Sequence, residues 1–301
     1  MTILASHRAR RAERIREQGP RLRHSRLFKL VRGVVLLLGS LVILYPLLWM
    51  VSTSLKTDAA MYTNMYSVWV PPSGLDFQNY VIAWQRASIG VTILNSVKVT
   101  FTSLFFIMLL SYLTSYTLVR MEFFGRKFWM TLFVTLMLVR LEQVVMIPQY
   151  RLIKSLGMGD SLPGIILIYI NGGIPFSVFL LTSFISRIPL ALDEAAHIDG
   201  ANRARIVFQI CLPLSLPGFA TVVIFQFMAI WNDYFTPLIY LISPAKRTIT
   251  LGLKNFSGAY KTTAYNHLFA ALCTVSIPVI IIFLLFQNLF INSIAVGSVK
   301  E

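Results

Sequence analysis

The sequence predicts an all-α integral membrane protein built as a bundle of six membrane-spanning helices. Three observations predict it. Mean hydropathy is +0.70 with only 13% charged residues, whereas soluble domains carry about 25%. Six apolar segments follow one another, at 33–54, 91–119, 128–149, 161–185, 214–241 and 267–291, each near or above the ~20 residues that a span requires. None alternates with period two, so the spans are helices and not strands of a barrel.

The chain begins with a basic stretch. Residues 1–32 carry ten Lys and Arg against Glu13 and Glu17. A secretory signal has a shorter charged region and a small-residue cleavage site, and an organelle transit peptide fits on composition alone. The reading adopted is a cytoplasmic tail that holds the first span's N-terminus inside and touches anionic headgroups. The spans contain Pro46, Pro175 and Pro278, which would argue against helix in water but are tolerated in a bilayer. Between the first two spans, 55–90 is the longest loop. Val70-Pro71-Pro72-Ser73-Gly74 marks a turn in it, and Asp76 to Trp84 fits a short amphipathic helix. Pro148-Gln149-Tyr150 through Leu156-Gly157 fits a helix lying along the surface, and 243–266 reads as a loop.

Charge sets the orientation. With an internal N-terminus, seventeen Lys and Arg fall inside and eight outside, Lys98 and Arg140 being within spans. That excess places both termini in the cytoplasm, together with the segment from Pro189 to Pro217.

That segment is the most polar part of the second half of the chain. Pro189 suits the first turn of a helix, and Asp193 and Glu194 follow where acids suit the helix dipole. Asp199-Gly200 ends that helix in a turn. A second helix runs from Ala201 to Ile210 and stops at Pro213. Ala195, Ala196, Gly200 and Ala201 are small, leaving one face nearly bare for another backbone to approach. Local features alone fit an ordinary helical loop between spans equally well.

The chain lacks catalytic patterns. There is no G-x-x-x-x-G-K-[ST], G-x-S-x-G or H-E-x-x-H. Cys211 and Cys273 form neither a disulfide framework nor a metal-ligand spacing. His7, His24, His197 and His267 are scattered, and His197 reads as a surface or interface residue. Energy for any pumping must therefore come from a partner. A membrane-embedded enzyme is disfavoured on the same ground.

Polar residues within the spans are the remaining signal. Arg140 lies about 18 Å along the third span counted from Phe128, past the middle of a ~30 Å core. Burying it there costs about 2.5–3.5 kcal/mol, so it faces protein or water. Three readings stand for it. It lines a translocation path with Glu142, it forms a structural ion pair, or it snorkels. Glu142 is two positions away and points to the opposite side of the helix, which makes a direct pair awkward. Because a guanidinium can hold a carboxylate with two hydrogen bonds, the path reading favours an anionic, uronate-containing oligosaccharide. Gln226, Asn232 and Asp233 in the fifth span suit a sugar-lined path, since hydroxyls want hydrogen bonds. The alternative is an interfacial belt, the reading preferred for Trp231.

Glu194-Ala195-Ala196, three residues, Gly200, nine residues, Ile210, one residue and Leu212-Pro213 resembles the EAA loop of bacterial ABC importer permeases. Further matches are Tyr45-Pro46-Leu47-Leu48-Trp49 with Ser54-Leu55-Lys56, Asn95-Ser96, Ile174-Pro175-Phe176, Ile188-Pro189, Trp231-Asn232-Asp233 with Pro237-Leu238, and Gly297-Ser298-Val299-Lys300. From about residue 33 onward these resemble the maltose-permease G type of the carbohydrate uptake family. The resemblance implies a permease domain over 33–291 with a coupling loop at 189–210, a cytoplasmic tail at 292–301, and residence in the bacterial inner membrane. It assigns ATPase coupling to Glu194, Ala195, Ala196, Asp199 and Gly200, and tail contact with the ATPases to Gly297 and Lys300. Ser293 and Glu301 depart from glycine in that tail, and the basic N-terminus and Arg140 are atypical. The implied partners are a second permease, two ATPases and an extracytoplasmic solute-binding protein. No cofactor or metal binds this chain; ATP and Mg sit on the ATPases. The alternatives are a permease for glycerol phosphate, a polyol or another solute, and a non-transport assembly factor, which leaves the EAA spacing unexplained.

Overall fold

The computed structural model describes residues 26–63, 66–69, 74–139, 144–256 and 264–298. All regular elements among these are helical, with one isolated antiparallel bridge between Lys56 and Leu75. Five of the described helices are long and apolar enough to cross a membrane. Helix α1 (Arg26–Ser54) starts seven residues before the expected span, so Lys29 and Arg32 lie within it. The remainder of the fold, from Val51 onward, is a separate compact body.

That body opens with short α2 (Asp58–Thr63) and α3 (Gln78–Arg86), the latter close to the amphipathic helix expected at 76–84. Helix α4 (Ile89–Arg120) is 32 residues long. Helix α5 (Arg126–Leu138) has 13 residues and is followed by α6 (Met146–Ser155). The expected third span at 128–149 is thus divided, and Arg140 and Glu142 lie outside the described residues. Helix α7 (Leu162–Ile185) is capped by Ser161, whose Oγ accepts from Gly164 N at 3.2 Å. After α8 (Leu190–Ile198), a single helical path runs from Arg203 to Trp231. It comprises α9 (Arg203–Arg205), a π-helical turn (Ile206–Cys211) and α10 (Leu212–Trp231). Short α11 (Phe235–Tyr240) and α12 (Ile249–Gly252) precede α13 (Tyr265–Ser298).

Two expectations are corrected here. Pro213 does not stop the helix begun near Ala201. The path widens into the π turn just ahead of it, where Leu212 N bonds back to Val207 O. An α-helical proline clashes with the carbonyl four residues earlier, and the wider turn displaces that carbonyl. The fifth span also ends at Trp231, ten residues early. The Asp233 carboxylate accepts from the backbone N–H groups of Phe235 and Thr236 at 2.8 and 3.3 Å, offering the backbone an alternative to the helical ladder.

Lipid is as apolar as leucine, so these helices associate through close packing and hydrogen bonds. The face of α4 turned inward carries small residues, Ser103, Ser111 and Ser115 all being fully buried. Ser115 Oγ donates to Val178 O of α7 at 3.1 Å. Gly173 of α7 allows the same approach, since a Cβ there would lie 2.6 Å from Ile107 Cδ1. At the Ile89 end, Ala83, Ala87, Ile89, Phe227, Trp231, Ile249 and Ala270 form one cluster. At the Arg120 end, Tyr112, Tyr116, Leu181, Ile185, Ile188 and Cys211 form another. Trp231 is no interfacial belt residue. It is 1% exposed and stacked on Phe227 with ring centroids 5.4 Å apart.

Candidate functional site

The segment 189–210 folds as a helix–turn–helix. Pro189 stands at the N-cap of α8, one position before the first turn. The helix ends in a Schellman motif: Gly200 N donates to His197 O at 3.0 Å and Ala201 N to Ala196 O at 2.9 Å. This closure requires a left-handed residue, and Gly200 has φ +80°. Asn202 Oδ1 then caps the next helix by accepting from Arg205 N at 2.8 Å.

The five residues singled out in this loop divide between two faces. Ala196 is buried and packs with Ala201, Ile206 and Ile210 inside the motif. Glu194, Ala195, Asp199 and Gly200 are exposed together with His197. Beside them Ile198 is 86% exposed. The outward face thus combines two acids, small residues and a bare aliphatic side chain.

The opposite side of the motif is tied to α4. Arg120 Nη2 donates to Ile188 O at 2.7 Å, and Arg120 Nε lies 3.1 Å from Asp193 Oδ2. Both side chains are about nine-tenths buried. The pairing is Coulombic, since Arg120 Nε and Asp193 Oδ1 make no hydrogen bond among the described residues. Tyr112 Oη, also on α4, donates to Val207 O in the π turn at 2.5 Å. Sequence reasoning missed this attachment. Asp193 reads locally as a helix-dipole partner, and nothing local links positions 73 apart.

Of the residues proposed for a path, Arg140 and Glu142 lie outside the described residues, and Gln226 and Asp233 are held by α7 or the backbone. Gln226 is buried, its Nε2 donating to Gly173 O at 3.1 Å and Ser177 Oγ at 3.2 Å. Asp233 accepts from Tyr169 Oη at 3.0 Å in addition to its two backbone bonds. Asn232 is exposed beside it. Gln226 therefore fastens α10 to α7 at Gly173, and Asp233, just past the end of α10, bonds to α7 one turn away at Tyr169.

Of the segment 243–266, expected as a loop, the described part up to Phe256, together with Ile242, is structured by partners from elsewhere. Asp160, at φ +47°, accepts at its carboxylate from Ile242 N (2.8 Å), Ser243 N (3.1 Å), Ser243 Oγ (2.5 Å) and Lys246 Nζ (3.2 Å). The Ser243 hydroxyl above all, helped by the two backbone N–H groups and Lys246, holds the Asp160 carboxyl well below the usual carboxylate range against the opposing effect of burial. From α4, Asn95 Nδ2 donates to Ala245 O and Arg247 O at 2.9 and 3.1 Å, and Ser96 Oγ accepts from Ile249 N at 2.8 Å. A second polar knot joins the start of the body to α13. Asn79 Nδ2 donates to Ser54 O and Lys56 O, and Asn266 Nδ2 to Asp58 Oδ1 at 2.8 Å. Lys56, almost fully buried, donates to Ser67 O at 2.6 Å, and burial pushes its ammonium pKa down. Gly297 lies in the last turn of α13, and Lys300 lies outside the described residues.

Residues 119–296, which include the helix–turn–helix, the structured 242–256 segment and most of α13, match the family described as binding-protein-dependent transport system inner membrane component. The chain belongs to that family. It is 33% identical over 279 residues to the diacetylchitobiose uptake system permease protein NgcG of Streptomyces coelicolor, covering 91% of this chain and 90% of that protein. It is 32% identical over 256 residues to the melibiose/raffinose/stachyose import permease protein MelC of Bacillus subtilis, covering 85% and 91%. A crystal structure of a bacterial ABC transporter involved in the import of the acidic polysaccharide alginate contains a chain 25% identical to this one. It superposes with TM-score 0.75 over 89% of this chain and 98% of that one. These relatives bear out the resemblance to carbohydrate-uptake permeases, and the family is one of multi-pass inner-membrane subunits.

Proposed function

We propose that this chain is the transmembrane permease subunit of an ATP-driven importer of oligosaccharides, with six spans and both termini in the cytoplasm. The observation that carries the reading is the helix–turn–helix at 189–210. It presents Glu194, Ala195, Asp199, Gly200 and the bare Ile198 outward while Arg120 and Tyr112 fasten its other side to α4. Such a surface suits the groove of a partner ATPase. In this reading two ATPases hold ATP and Mg, a second permease completes the path, and a solute-binding protein delivers sugar. Gly297 and Lys300 add a tail contact to the ATPases. Closure of the ATPases pulls the loop, and the spans rock so that the path opens outward.

The substrate class is the finer part of the proposal. Relatives named for diacetylchitobiose and for melibiose, raffinose and stachyose support an oligosaccharide. The alginate importer, together with Arg140 and Glu142 in the third apolar segment, supports an acidic one. Co-purification of the chain with its ATPase and sugar uptake into vesicles test the reading. A complex that neither retains an ATPase nor takes up sugar refutes it.

A further inference from the structure

Helix α4 meets a candidate moving part at each end. At one end Arg120 and Tyr112 grip the 189–210 motif by Asp193, Val207 O and the carbonyl of Ile188 just ahead of it. At the other, Asn95 and Ser96 grip the backbone of the 242–249 segment at Ala245, Arg247 and Ile249. Residues 95 and 120 are separated by about 37 Å of helix at 1.5 Å per residue. Among the described long helices α4 alone contains no proline; the others carry Pro46, Pro175, Pro217 and Pro278. Internal prolines remove a ladder bond and allow bending, so α4 is the stiffest element joining the two ends. The grips are built for transmission. Asn95, Ser96 and Tyr112 are all more than nine-tenths buried, and three of the bonded groups at the far end belong to main chain that cannot swing aside.

We propose that Arg120 is a positioning residue that makes α4 a strut, so that displacement of the 189–210 motif moves the 242–249 segment on the opposite side of the membrane. This rests on the importer reading above and names the physical link within it. A stroke at the ATPase then reaches the extracytoplasmic face, where a binding protein delivers its sugar, without passing through a jointed helix. Mere proximity along α4 does not establish coupling, so the two ends have to be perturbed separately and together.

The experiment uses the assembled importer, with Arg120→Gln, Asn95→Ala and the double variant. Two quantities are read: sugar imported per ATP hydrolysed in vesicles, and the effect of ATP on thiol labelling of Ala245→Cys in nanodiscs, in a background lacking Cys211 and Cys273. Each single variant is expected to lower sugar per ATP at least tenfold and to abolish the ATP effect at position 245. The double variant is expected to be no worse than either single, as parts of one unit behave. Arg120→Lys, which keeps a positive charge and a donor beside Asp193 and Ile188 O, is expected to retain part of the ATP effect at 245. If Arg120→Gln does not assemble, Tyr112→Phe removes only a hydroxyl from the same grip and is read identically. Losses that multiply in the double variant, or an ATP effect at 245 that survives Arg120→Gln, overturn the strut. A wild-type complex without uptake sinks the importer reading itself, which is a distinguishable result.

Discussion

Gly200 offers the sharpest test of the outward face of α8. Its φ of +80° closes the Schellman turn, and a Cβ built there meets no atom of this chain within 4 Å. Within the chain, then, the cost of Gly200→Ala is backbone strain alone, about 1–2 kcal/mol for a left-handed residue with a Cβ. If docking requires the turn, that strain weakens ATPase binding by roughly 5- to 30-fold. Gly200→Asn separates turn from contact. Asparagine accepts the left-handed conformation with much less strain, yet it places more atoms in the open space beside Gly200. A partner backbone seated on this face is therefore expected to tolerate Asn no better than Ala, although Asn suits the turn better. The assay is titration of purified ATPase onto the permease complex in nanodiscs with wild type and both variants. Wild-type binding by Asn alongside weakened binding by Ala would show that only the turn matters. Wild-type binding by both would remove Gly200 from the docking face.

Other expectations follow from the same structure. Asp160→Asn removes the charge from four hydrogen-bonded contacts; charged bonds are worth about 1.5–3 kcal/mol each, so thermal unfolding in detergent should show a loss of that order. Because the folded-state pKa of Asp160 is depressed, its stabilisation is fully present well above the unfolded value of about 3.9 and drains away only as pH falls through that value towards the folded one. Protease nicking of the 242–249 segment should thus be constant from pH 5 to 8 and rise in stronger acid. Gly173→Ala forces a Cβ to 2.6 Å from Ile107 Cδ1 and 3.0 Å from Gln226 Oε1, an overpacking expected to cost about 1–3 kcal/mol in the same unfolding measurement. Arg140→Gln should selectively reduce uptake of acidic over neutral oligosaccharides; equal loss with poor assembly would make Arg140 structural. Single cysteines near residues 20 and 299 should resist an impermeant thiol reagent in intact cells while one near 255 reacts, and the reverse pattern would invert the topology.

What could be read from the sequence was what depends on neighbours along the chain. Hydropathy located the apolar helices to within a few residues at 161–185, and Asp199-Gly200 located the turn at 189–210 because its chemistry is local. Two kinds of feature were out of reach. The first is partnership at distance: Arg120 with Asp193, Asp160 with Ser243 and Lys246, Asn95 with Ala245. Residue type permits many partners for each, and only the packing selects one. The second is which side of a membrane helix meets protein. In water an apolar stripe marks the buried face, but both faces of α10 are apolar, so Trp231 gave no sign that it is buried in one cluster with Phe227, Ala83 and Ala270. Pro213 misled for a related reason. Its rule assumes an α-helical acceptor four residues back, and the π turn at Ile206–Cys211 removes that acceptor.

That π turn has a consequence for how insertions and deletions are tolerated. A π turn is an α-helix holding one residue too many, and each residue of an α-helix carries about 100° of rotation and 1.5 Å of rise. The extra residue therefore sets the angular phase between α10 and everything before it. Losing one residue between Ile206 and Cys211 would narrow the turn, returning a carbonyl to the Pro213 ring and turning Asn202 and Arg203 about 100° around the axis. Arg120 and Ile188 could no longer meet while Tyr112 kept hold of Val207. The length of this six-residue stretch is thus constrained more tightly than the identity of any side chain within it.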